Sequence, residues 1–148
     1  MKTETAGTLT ISRTIAAAPE VVFAAWTQPE HMQHWCAPEG MEVPLATVDL
    51  TVGGRFHIQM RNTEGGEHNA RGVYHEVDRP GRLVYTWSWD EYPEAGESLI
   101  TVEFRAVDGG TEMTMVHSGL PTEEQVRNHE RGWTSCLGRL ERMFAPAG

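Results

Sequence analysis

Three side chains of the kinds that ligate metals, His31, His34 and Cys36, fall close together in the stretch EHMQHWCAPEG. On a helix, residues i and i+3 share a face, so two imidazoles with a thiolate two residues on would supply three zinc ligands. A structural zinc site needs four ligands and a catalytic one needs three plus an open position, so the trio makes a weak case and no metal is expected. His117 and His129 are the other candidates, because an imidazole titrating near neutrality can orient a ligand's carboxylate or carbonyl or act as general base. The alternative for each is a histidine satisfied by a backbone or tyrosine partner. No nucleophile elbow, Walker loop or HExxH motif occurs, and Ser118 and Ser135 lack a triad context. The glycine pairs in VGGRF and DGGTE read as hairpin turns rather than phosphate cradles. Covalent catalysis therefore has no support, and no cofactor is expected. Cys36 and Cys136 have no CxxC or framework spacing and read as free thiols.

These residues must be positioned by elements legible in the pattern. Residues 8–15, TLTISRTI, alternate with a period of two and predict a first strand. Pro19 and Glu20 suit a first helical turn, and Val22, Phe23 and Trp26 recur at helical spacing, predicting a helix to about Thr27. Pro29 biases Gln28 away from helical geometry, so a second short helix is expected over residues 30–35, set at an angle. Six strand candidates follow: VPLATVDL, GGRFHIQM, NARGVYHEV, RLVYTWSW, SLITVEFRAV and TEMTMVHSG. Turn chemistry at Gly53-Gly54, Glu64-Gly65-Gly66, Arg79-Pro80-Gly81, Glu94-Ala95-Gly96 and Asp108-Gly109-Gly110 separates them and predicts antiparallel neighbours. The closing segment, PTEEQVRNHERGWTSCLGRLERMF, has Thr122 and Gln125 in place for a capping box and an apolar stripe at helical spacing. That long helix must bury its stripe on the preceding sheet, giving an α+β class with about seven strands.

The length of 148 residues fits one compact domain spanning 1–148. With 21 acidic against 12 basic residues the net charge is -9, and no Lys/Arg-rich run appears, which argues against nucleic acid. No secretory h-region and no run of about 18 apolar residues is present, so no membrane insertion and a cytoplasmic location are expected. An exposed edge strand allows a homodimer.

Large residues face the volume between sheet and helix: Leu83, Tyr85, Trp87 and Trp89 on one strand face, Phe56, Ile58 and Met60, then Met113, Met115 and His117, with Trp133, Leu137 and Leu140 from the helix. They build either a solid core or the wall of a pocket. Gly132 and Gly138 each cost a helix about 1 kcal/mol relative to Ala, which points to close packing or to space kept free.

The segments APEVVFAAWTQPEHMQHWCAPEG, VDLTVGGRFHIQM, GVYHEVDRPGRLVYTWSW, TVEF with DGGTEMTMVHSGL, and HERGWTSCLGRLERM stand in an order that resembles the START-like (polyketide cyclase, Bet v 1-like) superfamily. They are most similar to its small bacterial members named after the activator of heat-shock protein 90 ATPase. The resemblance covers residues 8–144. It implies a helix-grip fold, a curved antiparallel sheet wrapped around a long C-terminal helix, with a cavity between them that takes apolar small molecules. It also implies that His117 and His129 lie where sheet and helix approach. The expected ligand contacts are Trp35, Phe56, Met60, Tyr74, Trp87, Trp89, Met115, His117, Trp133 and Leu137. Catalysis by His117 or His129, and activation of a chaperone ATPase, are the alternatives to simple binding. Glu76 is expected to pair with an arginine at a strand end. Relatives usually carry two consecutive Trp where this chain has Trp35-Cys36, so Cys36 is expected to widen the cavity entrance.

Overall fold

A computed structural model of the chain describes residues 7–144; the expected domain, 1–148, extends past both bounds. Strand β1 (Leu9–Ile15) leads into helices α1 (Pro19–Thr27) and α2 (Pro29–Met32). Strands β2 (Glu42–Val48), β3 (Arg55–Arg61), β4 (Glu67–Asp78), β5 (Arg82–Trp89), β6 (Ser98–Val107) and β7 (Gly110–Ser118) follow, and helix α3 (Glu123–Met143) closes the order. The seven strands form one sheet in the order β1-β7-β6-β5-β4-β3-β2, each pair antiparallel. This is the helix-grip arrangement.

Local chemistry accounts for most boundaries. Gln28 is extended (φ -104, ψ 125) ahead of Pro29, which separates α1 from α2. The second helix stops at Met32, short of the expected 35, and the chain continues in turns as Trp35 is drawn fully inside, its indole donating to the Ala25 carbonyl at 2.9 Å. Helix α3 is capped by Thr122, whose hydroxyl accepts the Gln125 N–H at 3.1 Å, with Glu123 and Glu124 in the first turn.

One glycine shapes the sheet. Gly72 of β4 faces Phe56 across the ladder, and a Cβ there would sit 1.9 Å from the Thr86 carbonyl oxygen and 2.5 Å from Phe56 Cε2. Only the missing side chain lets the Phe56 ring lie across the strand.

Along the sheet the interior divides in two. Helix α1 covers the β6 and β7 side: Phe23 and Phe104 meet edge to face at 5.6 Å, and the Trp26 indole donates to Met113 Sδ at 3.1 Å. The C-terminal part of α3 packs on β1, where Leu137 and Leu140 are fully buried with Ile15, Met113 and Met115. Beneath the N-terminal part of α3, over β3, β4 and β5, the interior is hollow.

Candidate functional site

The hollow is a cavity of about 410 Å³, within the range of small-molecule sites. Its sheet wall is Phe56, Ile58 and Met60 from β3, Tyr74 from β4, and Tyr85, Trp87 and Trp89 from β5. These alternate along their strands, so each turns the same way. The helix wall is Gln125, Asn128, His129, Gly132, Trp133 and Cys136, a stripe at helical spacing. Trp26, Met32, Trp35, Cys36, Pro38 and Met41 close the end nearest α1 and α2. Among the described residues no Asp, Glu, Lys or Arg lines the cavity.

The aromatic rings prop one another apart. Trp87 is the hub, 5.3 Å from Trp133, 5.4 Å from Trp89 and 6.0 Å from Phe56. Phe56 in turn meets Tyr85 at 5.2 Å and Tyr74 at 5.7 Å. On the opposite wall a Cβ added to Gly132 would meet nothing within 4 Å, so this residue keeps space free rather than permitting a close approach. The loop after α2 is fastened to α3 by Arg139, whose guanidinium donates to the carbonyls of Ala37, Pro38 and Met41 at 2.6, 3.3 and 3.2 Å.

Both histidines have their ring nitrogens engaged. The Trp89 indole donates to His129 Nε2 at 3.1 Å, so His129 Nδ1 carries the proton and donates to the Gln125 carbonyl at 2.8 Å. His117 has the opposite tautomer: Nδ1 accepts from the Trp133 indole at 3.1 Å and Nε2 donates to Ser98 Oγ at 2.7 Å. Burial, then the neighbouring His129, pulls the His117 pKa from 6.5 down to about 3. Burial also lowers that of His129, opposed by its bond to the Gln125 carbonyl. Each ring is a neutral partner for an indole, with no free lone pair to take up a proton.

Seven of the residues expected at the site line the cavity: Trp35, Phe56, Met60, Tyr74, Trp87, Trp89 and Trp133. His129 also lines it. Met115, His117 and Leu137 do not, and this corrects their assignment. All three are fully buried. Met115 pairs with Ile11 and Val102 in the half that α1 covers, Leu137 belongs to the filled core, and His117 carries the Trp133 indole on its Nδ1. The metal trio disperses as well, with His34 exposed, His31 half-buried and Cys36 in the cavity wall. Among the described residues no cluster of three His, Cys, Asp or Glu side chains is placed to hold a metal ion. Glu76 pairs with Arg82 at 3.2 Å.

Cys36 is not at an entrance. It is buried, and the exposed lining residues are Tyr92 and Asn128, with His68 and Gln125 half-buried beside them, so the cavity opens there. Burial raises the Cys36 pKa well above 9, helped by Cys136, and raises that of Cys136 to about 12, with Arg139 opposing both. The two thiols are neutral wall atoms. Sequence reasoning missed Cys136 and the mouth residues His68, Tyr92, Gln125 and Asn128 as contacts. The helical register of Gln125, His129, Gly132, Trp133 and Cys136 was the available signal.

The family model described as "Activator of Hsp90 ATPase homolog 1-like protein" matches residues 16–145. The chain belongs to this family. Its fold is shared with the AHSA1 protein of Silicibacter pomeroyi, a crystal structure 30% identical that aligns over 92% of this chain and 96% of that one with a TM-score of 0.81. A crystal structure from Plasmodium falciparum titled as an HSP90 activator is 25% identical, with 93% and 95% covered and a TM-score of 0.73. The human protein named "Activator of 90 kDa heat shock protein ATPase homolog 1" is 27% identical over 126 residues, 84% of this chain. That match is 33% of the human protein, so the AHSA1-like chain spans about a third of the length of this relative. No helix among the described residues is long and apolar enough to cross a membrane.

Proposed function

We propose that this chain binds a largely apolar small molecule in the cavity between β3–β5 and α3. The observation that carries this reading is the wall itself: about 410 Å³ lined mainly by aromatic and sulfur-containing side chains, with no Asp, Glu, Lys or Arg among the described lining residues. Burying apolar ligand surface there contributes about 25 cal/mol per Å² before the ordering costs of binding. The geometry favours binding over catalysis, since a general base needs a free lone pair within reach of substrate. His117 lies outside the wall and His129 has both nitrogens occupied.

Calorimetric titration and native mass spectrometry against a panel of fatty acids, sterols and polycyclic aromatic compounds test the reading. Binding that disappears in Gly132→Leu, which fills the open space on the helix wall, is expected. A panel without a single binder overturns it.

A second reading rests on the names of the relatives: the chain stimulates the ATPase of a cognate Hsp90. Stoichiometric addition to that chaperone, read as phosphate release, is expected to raise turnover on this reading, and unchanged turnover removes it.

A further inference from the structure

Tyr74 and Tyr85 are direct partners across the β4–β5 ladder, and their rings meet at 5.7 Å. Both side chains are buried, at 3% and 6% exposure, and both line the cavity. Neither hydroxyl has a hydrogen-bond partner among the described residues. Trp87, two residues along β5 from Tyr85, lines the same wall and carries the one buried side-chain nitrogen or oxygen without a partner among the described residues, its indole Nε1. Buried donors left unmade are costly, and native interiors hold few of them. Here one such donor, the Trp87 indole, stands beside two phenol hydroxyls that have no partner among the described residues, all on one patch of one wall.

The patch also has a definite electrical character. Burial first, and then nearby groups (Cys36 for Tyr74; Tyr74 and Cys36 for Tyr85), hold both phenols in their neutral form, so each is an O–H donor. An anionic ligand group placed against them would be a buried charge without a counter-ion, because no Lys or Arg among the described residues lines the cavity. A ligand with no acceptor would leave the hydroxyls unmet. The group that fits is a neutral oxygen acceptor with lone pairs for more than one donor, which is a carbonyl.

We infer that Tyr74 and Tyr85 form a carbonyl-reading pair, and that the ligand is a neutral, mostly apolar molecule whose ketone or similar carbonyl oxygen accepts from both hydroxyls. The inference rests on the ligand-binding reading and goes beyond it by naming the polar group the cavity selects. The aromatic wall holds the ligand, and the tyrosine pair discriminates among candidates that the wall alone would accept equally.

A matched pair of probes isolates the carbonyl: 9-fluorenone, and fluorene, which carries a methylene in its place. Wild-type protein is expected to bind fluorenone about tenfold more tightly, the scale of one or two net hydrogen bonds. The bound fluorenone carbonyl stretch is expected to shift to lower frequency. In Tyr74→Phe and Tyr85→Phe the preference shrinks, and in the double variant it falls to near parity with the carbonyl shift lost. Because the hydroxyls have no partner among the described residues, the ligand-free double variant is expected to melt no lower than wild type, which separates a recognition role from a structural one. Equal affinity of wild type for the two probes, or a preference that survives the double substitution, overturns the carbonyl pair while leaving the binding cavity standing. A double variant that melts well below wild type assigns the hydroxyls to the fold and likewise overturns it. No binding of either probe, together with an empty panel above, removes both readings.

Discussion

The β1–β7–β6 side of the sheet and the β5–β4–β3 side belong to one antiparallel ladder and are covered by one helix, yet one is filled and the other hollow. On the filled side α1 wedges Phe23 and Trp26 against Phe104 and Met113, and α3 lies down on β1. On the hollow side rings meet rings at 5 to 6 Å and Gly132 leaves the helix bare. Hydrophobic composition therefore does not separate a core from a pocket. What separates them is whether a second element fills the space under the helix, and whether the inward side chains are flexible packers or rigid rings that hold one another off.

Two methionines, buried to nearly the same degree, put that contrast at risk. Met115 is fully buried in the filled half, and Met60 is 5% exposed in the cavity wall. Met115→Ala is expected to cost about 2 to 5 kcal/mol in chemical denaturation, whereas Met60→Ala, which only enlarges an existing void, costs less than about 2 kcal/mol. Equal losses would mean the two halves are packed alike. Gly72→Ala strikes the wall of the hollow half, where the new Cβ meets backbone rather than space; a loss of about 3 kcal/mol is expected by the same measurement. The third test is acid. His117 is held at about 3 against an ordinary 6.5, and His129 is lowered too, so the folded chain binds fewer protons than the unfolded chain below pH 6.5. That contribution is complete above pH 6.5 and is lost as pH falls toward 3 for His117. From pH 7 to pH 5 His117 alone costs about 2 kcal/mol. His117→Gln keeps an acceptor for Trp133 and a donor for Ser98, so its stability is expected to change less over that interval; an undiminished slope would clear His117 of the effect. The smallest effect sharpens the contrast from the helix side: Gly132→Ala is expected to raise stability by about 1 kcal/mol, since helix propensity improves and the methyl group meets nothing. A destabilised Gly132→Ala would show that the space is not open.

The layout of the sheet was legible because its signals are local. Period-two alternation and glycine turns placed all seven strands, and β5, written RLVYTWSW, matches its expected bounds. The site was legible only in part. Alternation tells which face of a strand turns inward but not what stands opposite, and so Met115, on the inward face of β7, was assigned to a cavity that lies over β3–β5, and His117 to a wall that it only backs, bonded to Trp133 and against His129. Leu137 failed for the same reason on the helix. Trp89 and His129 meet 40 residues apart in sequence, and neither shows its partner in its own surroundings. Cys36 is a third case: its place beside Trp35 was readable, but the depth of that place depends on how Arg139 fastens the following loop to α3.

The aromatic wall has a practical consequence for anyone who shines light on this protein. All five tryptophans and all three tyrosines of the chain line the cavity. Its tryptophan and tyrosine absorption, emission and dichroism therefore come from the cavity wall, with Trp26 alone also touching the filled half through Phe104 and Met113. A change in intrinsic emission reports an event at the cavity wall rather than somewhere unspecified in the molecule. A melt that proceeds by halves would give one midpoint by emission and another by backbone dichroism, so the sequence carries its own spectroscopic label at the place where a label is most useful.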